Sequence, residues 1–95
     1  MANYRISEDA KGDLQRIYRR GVLEFGEAQA DQYFDAFFKR FAELAEHPSR
    51  YPAVNEIRAG YRRSVCGSDN IYYRVVGGTT EIMRILGQQD VNEWL

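Results

Sequence analysis

The chain has 95 residues, which is the size of one small domain. Thirteen Lys and Arg against fourteen Asp and Glu leave a net charge of −1, a balance that disfavours a dedicated nucleic-acid binder, which carries a basic excess to neutralise phosphates. One Cys and one His exclude an internal disulfide, a multi-cysteine metal site and a histidine-rich metal centre, while seven Tyr and five Phe supply a packed core.

The first predicted element is a short strand at Asn3–Ile6, where polar and apolar residues alternate. Ser7 then reads as a helix N-cap, with Glu8 and Asp9 in the first turn where the helix dipole favours negative charge. Ala10, Leu14, Ile17 and Gly21, flanked by Tyr18, Val22 and Phe25, form the apolar stripe of an amphipathic helix. Gly26 breaks the pattern, and Ala30, Phe34, Phe37, Phe41 and Leu44 carry a second helix that His47-Pro48 ends. So short a break predicts an antiparallel helical hairpin.

Four short segments follow, each rich in aromatic or β-branched residues: Val54–Arg58, Tyr61–Cys66, Ile71–Val76 and Thr80–Leu86. The turn signals between them are Ala59-Gly60, Gly67-Ser68-Asp69-Asn70 and Gly77-Gly78, so an antiparallel meander is expected. Asp90–Leu95 is expected to form a last helical turn or a docked tail. The predicted architecture is α+β: an N-terminal strand, then a helical hairpin on one face of a small antiparallel sheet, in one domain spanning residues 1–95. No stretch has the length of a signal peptide's apolar region or of a membrane span, so the expectation is a cytoplasmic protein with no membrane partner.

Few residues offer chemistry. His47 sits at a predicted helix end, Cys66 on a strand without a cationic neighbour at a useful spacing, and Gly77-Gly78 precedes a strand rather than the helix a phosphate loop needs. No cofactor or metal is expected. The sheet arginines are more informative. Arg62 and Arg63 lie on one strand, Arg74 on the next and Arg84 on the last. Alternation puts Arg84 on a face with Ile82 and Leu86, and Met83 with Ile85 on the other. These arginines either pair with Glu56, Glu81 or Asp90, or form a cationic patch for phosphate or for a partner's carboxylates. On the second helix, Tyr33, Phe37, Phe38 and Phe41 make an apolar surface broader than one seam, which suggests a groove covered by another chain. Glu24, Glu27, Asp31, Asp35, Glu43 and Glu46 read as a solvated face.

With these residues in view, the chain resembles the ParE toxins of the RelE/ParE toxin superfamily nearly from end to end. The resemblance begins with Tyr4-Arg5-Ile6-Ser7, Ala10 and Asp13-Leu14. It continues through Phe25-Gly26-Glu27-Ala28-Gln29-Ala30, Tyr33 and Leu44-Ala45-Glu46-His47-Pro48. Ile57-Arg58-Ala59-Gly60-Tyr61-Arg62, Ile71-Tyr72-Tyr73-Arg74-Val75 and Ile82-Met83-Arg84-Ile85-Leu86 complete the set. The resemblance implies a toxin of a bacterial toxin–antitoxin pair, held inactive by a ParD-like antitoxin and inhibiting DNA gyrase when free. The RelE-like branch instead cleaves messenger RNA on the ribosome. That reaction needs a base, an acid and cations on the phosphorane.

Arg62 and Arg84 match the superfamily's sheet arginines, with Tyr72 or Tyr73 as the conceivable acid. Gly87 stands where many relatives have His, Gln88-Gln89 exchange no protons near pH 7, and the tail Glu93-Trp94-Leu95 holds no Tyr or Lys. The expected sites are therefore binding surfaces rather than a catalytic centre. Antitoxin is assigned to Tyr33, Phe37, Phe38 and Arg58, and the gyrase target to Arg62, Arg74, Arg84, Asp90, Trp94 and Leu95. Direct sequence-specific nucleic-acid binding is not expected. A ribosome-dependent nuclease, or an inactive toxin-fold protein that only binds its antitoxin, stand as alternatives. Resolved along the chain, residues 7–47 carry six cations and nine anions and residues 56–95 five of each, which weighs against the basic, RNA-cutting branch.

Overall fold

A computed structural model describes residues 3–87 and 91–95. Strand β1 (Tyr4–Ile6) leads through Ser7 into helix α1 (Glu8–Phe25). Ser7 is extended, and its Oγ accepts the Ala10 N–H at 3.0 Å, the N-cap bond its side chain predicts. Gly26, at φ +92, ends α1 by donating its N–H to the Val22 carbonyl and opens helix α2 (Glu27–Glu46) by accepting from Ala30 N–H. That positive φ is available to glycine without a Cβ clash, so one residue reverses the chain and makes the hairpin. His47 closes α2, and Pro48–Arg50 form a 3-10 turn.

Strands β2 (Arg62–Cys66), β3 (Asp69–Val76) and β4 (Thr79–Leu86) form the expected antiparallel meander. β1 adds to the outer side of β4 in parallel, so the sheet is mixed with order β1-β4-β3-β2. Expected strand Val54–Arg58 does not form. Pro52 cannot donate a ladder bond, and the Asn55 side chain accepts the Gly60 N–H, folding the segment into turns closed by Ile57 and Arg58 N–H on the Val54 carbonyl. Only Ala53 bridges to Arg62. The last element is helix α3 (Val91–Trp94). Asp90, part of the expected tail, lies outside the described residues.

One irregularity decides which way β4 faces. Tyr72 pairs with Arg84 but Tyr73 with Ile82, so Met83 is an extra, bulged residue. Ile82 and Ile85 therefore both join the core under the hairpin, while Met83 and Leu86 pack on the opposite face. Plain alternation put Met83 with Ile85 and Arg84 with Ile82; the bulge separates both pairs.

The hairpin buries Ala10, Leu14 and Ile17 of α1 and Phe37, Phe41 and Leu44 of α2 against Cys66, Ile71, Tyr73, Ile82 and Ile85 of the sheet. The other sheet face holds a smaller cluster, Val54, Tyr61, Tyr72 and Leu86, covered by Ile57, Val91 and Leu95.

β1 stops at Ile6, which leaves the far half of β4 without a strand neighbour on its outer edge. α1 seals that edge with side chains. Ser7 Oγ donates to the Met83 carbonyl at 2.8 Å, Asp13 accepts the Ile85 N–H at 2.8 Å, and Arg16 donates to the Ile85 carbonyl at 3.1 Å. Open edges invite strand addition, and here side chains close one.

Candidate functional site

The outer face of the hairpin carries an aromatic run that rises from the core. Phe41 meets Phe38 edge-on at 5.4 Å between ring centroids, Phe38 meets Phe34 at 5.1 Å, and Phe34 meets Tyr18 at 5.4 Å. Phe34, Phe38 and Tyr18 are half-buried, so their free faces line a shallow aromatic band between the two helices. Tyr18 donates to Asp31 at 2.7 Å, and that carboxylate pushes its pKa up to about 12, so the phenol stays neutral. Leu23 and Phe25 are exposed at the tip of the hairpin, 83% and 62%. An open groove of about 940 Å³ runs beside Phe25, with Arg16, Arg20, Tyr33, Phe34 and Asp69 among its walls.

Tyr33 acts as a clamp. Its hydroxyl lies 2.8 Å from Asp69 Oδ2 and 2.9 Å from the Cys66 carbonyl, and its ring meets Phe37 edge-on at 4.8 Å. Burial and Asp69 raise its pKa to about 12. The ring presses on Gly67, at φ +61, where a Cβ would lie 2.4 Å from the Tyr33 Cε1 atom, so the β2–β3 turn and α2 are locked together.

Phe37 is fully enclosed and belongs to the core, not to a partner surface. The expectation for it failed because the apolar stripe of α2 wraps more than one face, and Phe37 points at the sheet while Phe34 and Phe38 point away from its centre. Arg58 is exposed; it donates to the Leu95 carbonyl and stacks on Tyr61 at 5.5 Å.

Three of the four sheet arginines, Arg62, Arg74 and Arg84, have internal partners for their side chains. Arg62 donates to the Tyr51 carbonyl at 2.6 Å, and Arg74 pairs with Glu81 at 2.8 Å, as the pairing alternative foresaw. Arg84 grips Asp13 with Nε and Nη2, both at 2.9 Å, and Asp13 raises its pKa, so its charge is permanent. Its Nη1 donates to the Trp94 carbonyl at 2.8 Å, and the guanidinium lies 5.7 Å from the Trp94 ring centre. A continuous cationic patch from Arg62, Arg74 and Arg84 is therefore not what the fold builds.

The four groups of the nuclease alternative do not gather on one face: Tyr73 stands opposite Arg62 and Tyr72 opposite Arg84. Tyr72 and Tyr73 are adjacent in β3 and face opposite sides of the sheet, each almost fully buried. Tyr73 donates to the Pro48 carbonyl at 2.6 Å, and burial pushes its pKa up to about 12, far from the range in which an acid works near neutrality. Burial likewise raises the Cys66 thiol. Among the described residues no three His, Cys, Asp or Glu gather to hold a metal ion, and no helix is long and apolar enough to cross a membrane.

Two charged residues escaped the sequence reading. Asp13 sits on the apolar stripe of α1, one helical turn from Ala10 and Ile17, and is 5% exposed; a carboxylate among core positions was the signal. Arg40 donates to Ser64 Oγ and the Val65 carbonyl, both at 2.7 Å, beside Glu43. Glu43, read as solvated, accepts from Tyr51 and Arg50, which hold its carboxyl below the usual range.

Comparison with known proteins is decisive at the family level. Residues 4–92 match the family model described as ParE toxin of type II toxin-antitoxin system, parDE. The chain belongs to the ParE toxin family. It is 39% identical over 88 residues to toxin ParE1 of Caulobacter vibrioides, covering 93% of this chain and 91% of that protein. It is 34% identical over 89 residues to toxin ParE1 of Mycobacterium tuberculosis, with the same coverage. Among solved structures, a chain of the chromosomal ParDE toxin–antitoxin system from P. aeruginosa superposes with a TM-score of 0.81 at 20% identity, covering 94% of this chain and 98% of that one. A chain of the RelBE2 toxin–antitoxin complex from Mycobacterium tuberculosis gives 0.58 at 23% identity, with 92% and 98% covered. At these identities the structures speak for the fold alone: α+β, two helices packed on a four-stranded mixed sheet.

Proposed function

We propose that this ParE-family toxin inhibits DNA gyrase by protein–protein contact, without catalysis, and is neutralised by a ParD-like antitoxin. The observation that carries the non-catalytic reading is that Arg62 with Tyr73 and Arg84 with Tyr72 stand on opposite faces of the sheet, both arginines bonded internally and both tyrosines buried. What the molecule offers outward is apolar and aromatic surface, which serves binding. Antitoxin is assigned to the aromatic band of the hairpin, where Tyr18 and Phe34 join Tyr33 and Phe38, and to Arg58. The target surface is assigned to α3, with Trp94 and Leu95, and to the neighbouring sheet face.

The test is expression without antitoxin, following DNA supercoiling and breaks alongside messenger-RNA integrity. Gyrase-dependent DNA damage with intact RNA is expected. Ribosome-dependent RNA cleavage would install the nuclease in its place, and undisturbed growth would leave only antitoxin binding.

A further inference from the structure

Helix α3 has four residues, far below the roughly 12 an isolated helix needs to be even marginal in water, so it exists because other parts of the chain hold it. Val91 and Leu95 pack on the second-face cluster, Leu95 N–H closes on the Val91 carbonyl at 2.9 Å, and Arg58 donates to the Leu95 carbonyl. A further hold is Arg84. Two of its three nitrogens are fixed by Asp13, and Asp13 is itself fixed by the Ile85 N–H and flanked by Arg16 at 3.6 Å. A guanidinium gripped in this fork cannot swing, so its third nitrogen and its flat face are presented to Trp94 in one orientation.

The result is asymmetric. The Arg84 side chain is only 16% exposed and has all three of its nitrogens engaged, so it offers a partner little. Trp94 is 52% exposed, although one face and its main-chain carbonyl are held. A large aromatic, half in solvent and already ordered, has the make-up of an interface anchor, because association then loses little side-chain freedom.

We propose that Arg84 is a positioning residue rather than a contact residue: locked by Asp13, it docks Trp94 and so presents α3 to the target. This rests on the reading above that α3 faces the target. It also corrects the assignment of Arg84 to the contact surface itself.

Trp94 is the chain's one tryptophan, so its fluorescence reports the docking directly in the full-length protein. Arg84→Lys keeps a cation beside Asp13 but removes the fork and the flat face. Acrylamide quenching of Trp94 should then rise about twofold, as an indole 52% exposed becomes free. Inhibition of gyrase supercoiling should weaken about tenfold, and antitoxin affinity, which a general loss of structure would also lower, should stay as in the parent. Trp94→Ala should weaken inhibition at least as much, and combining it with Arg84→Lys should add nothing. Unchanged quenching, unchanged inhibition alongside raised quenching, or additive losses would each overturn the proposal. Should the parent chain not inhibit gyrase, the functional reading fails and the quenching measurement alone decides whether Arg84 holds Trp94. For an Arg84 variant that does not fold, Leu95 amide exchange in the parent decides: protection is required, and exchange at the free-peptide rate overturns the docking.

Discussion

The two faces of the sheet are covered by unlike material. Under the hairpin, eleven buried residues interlock across two long helices and three strands, including Phe37, Phe41, Leu44, Ile71 and Tyr73 at 0% exposure. On the other face four buried residues suffice, covered by the turns of residues 51–60 and a helix of one turn. Apolar burial contributes in proportion to area removed from water, so folding stability is concentrated on the hairpin face. The second face is held by directional contacts of a few side chains, Arg58 and Arg84 above all. A small domain can alter that cover without unfolding, which makes it the place where a partner surface is compatible with a stable core.

The sharpest way to break this contrast is to truncate each side. Phe41→Ala should cost about 3–5 kcal/mol in chemical denaturation, since it opens a cavity with nothing nearby free to fill it. Removing residues 90–95 should cost only about 1–2 kcal/mol, the loss of two part-buried side chains and one stacked indole, while abolishing toxicity. Equal losses in the two variants, or undiminished killing by the shortened chain, would erase the distinction.

Asp13→Asn comes next, at about 3 kcal/mol in the same assay, because a buried carboxylate that serves Arg84, Arg16 and the Ile85 N–H loses its charge. Gly67→Ala should cost about 2 kcal/mol, from positive φ and from collision with the Tyr33 ring, itself tethered to Asp69. Arg74→Ala, which breaks a part-exposed pair with Glu81, should change the melting midpoint by the equivalent of less than about 1 kcal/mol.

The gentlest test is alkaline titration. Tyr73 and Tyr33 hold their protons to about pH 12 in the fold, whereas an unfolded tyrosine loses its proton near 10. Between those values the folded state binds more protons, so stability is complete below about pH 10 and falls as pH rises towards 12. Tyr73→Phe should flatten part of that decline, read from denaturation midpoints at stepped pH.

Much of the hairpin was legible because its signals are local. Ser7 caps a helix through a bond three residues away, Gly26 reverses the chain alone, and Pro48 stops α2 by its own chemistry. The strands that follow β2 were legible from their turns. Segment 54–58 has a strand's composition but not a strand's structure, because the Asn55 side chain accepts the Gly60 N–H and closes a loop there instead. The site was less legible than the fold. Phe37 and Phe38 differ by one position and have the same chemistry, yet one is core and the other half-exposed.

The sequence by itself therefore determined the family, the helical hairpin and the meander, because periodicity, caps and turn residues act over a few positions of chain. Only the tertiary structure decided that β1 runs parallel to β4, that a bulge at Met83 re-aims the last strand, and that Arg84 belongs to Asp13 and Trp94. Asp13 and Arg84 stand 71 positions apart, and their meeting depends on strand register and on which edge of the sheet a helix seals. Those are properties of packing, and no local pattern encodes them.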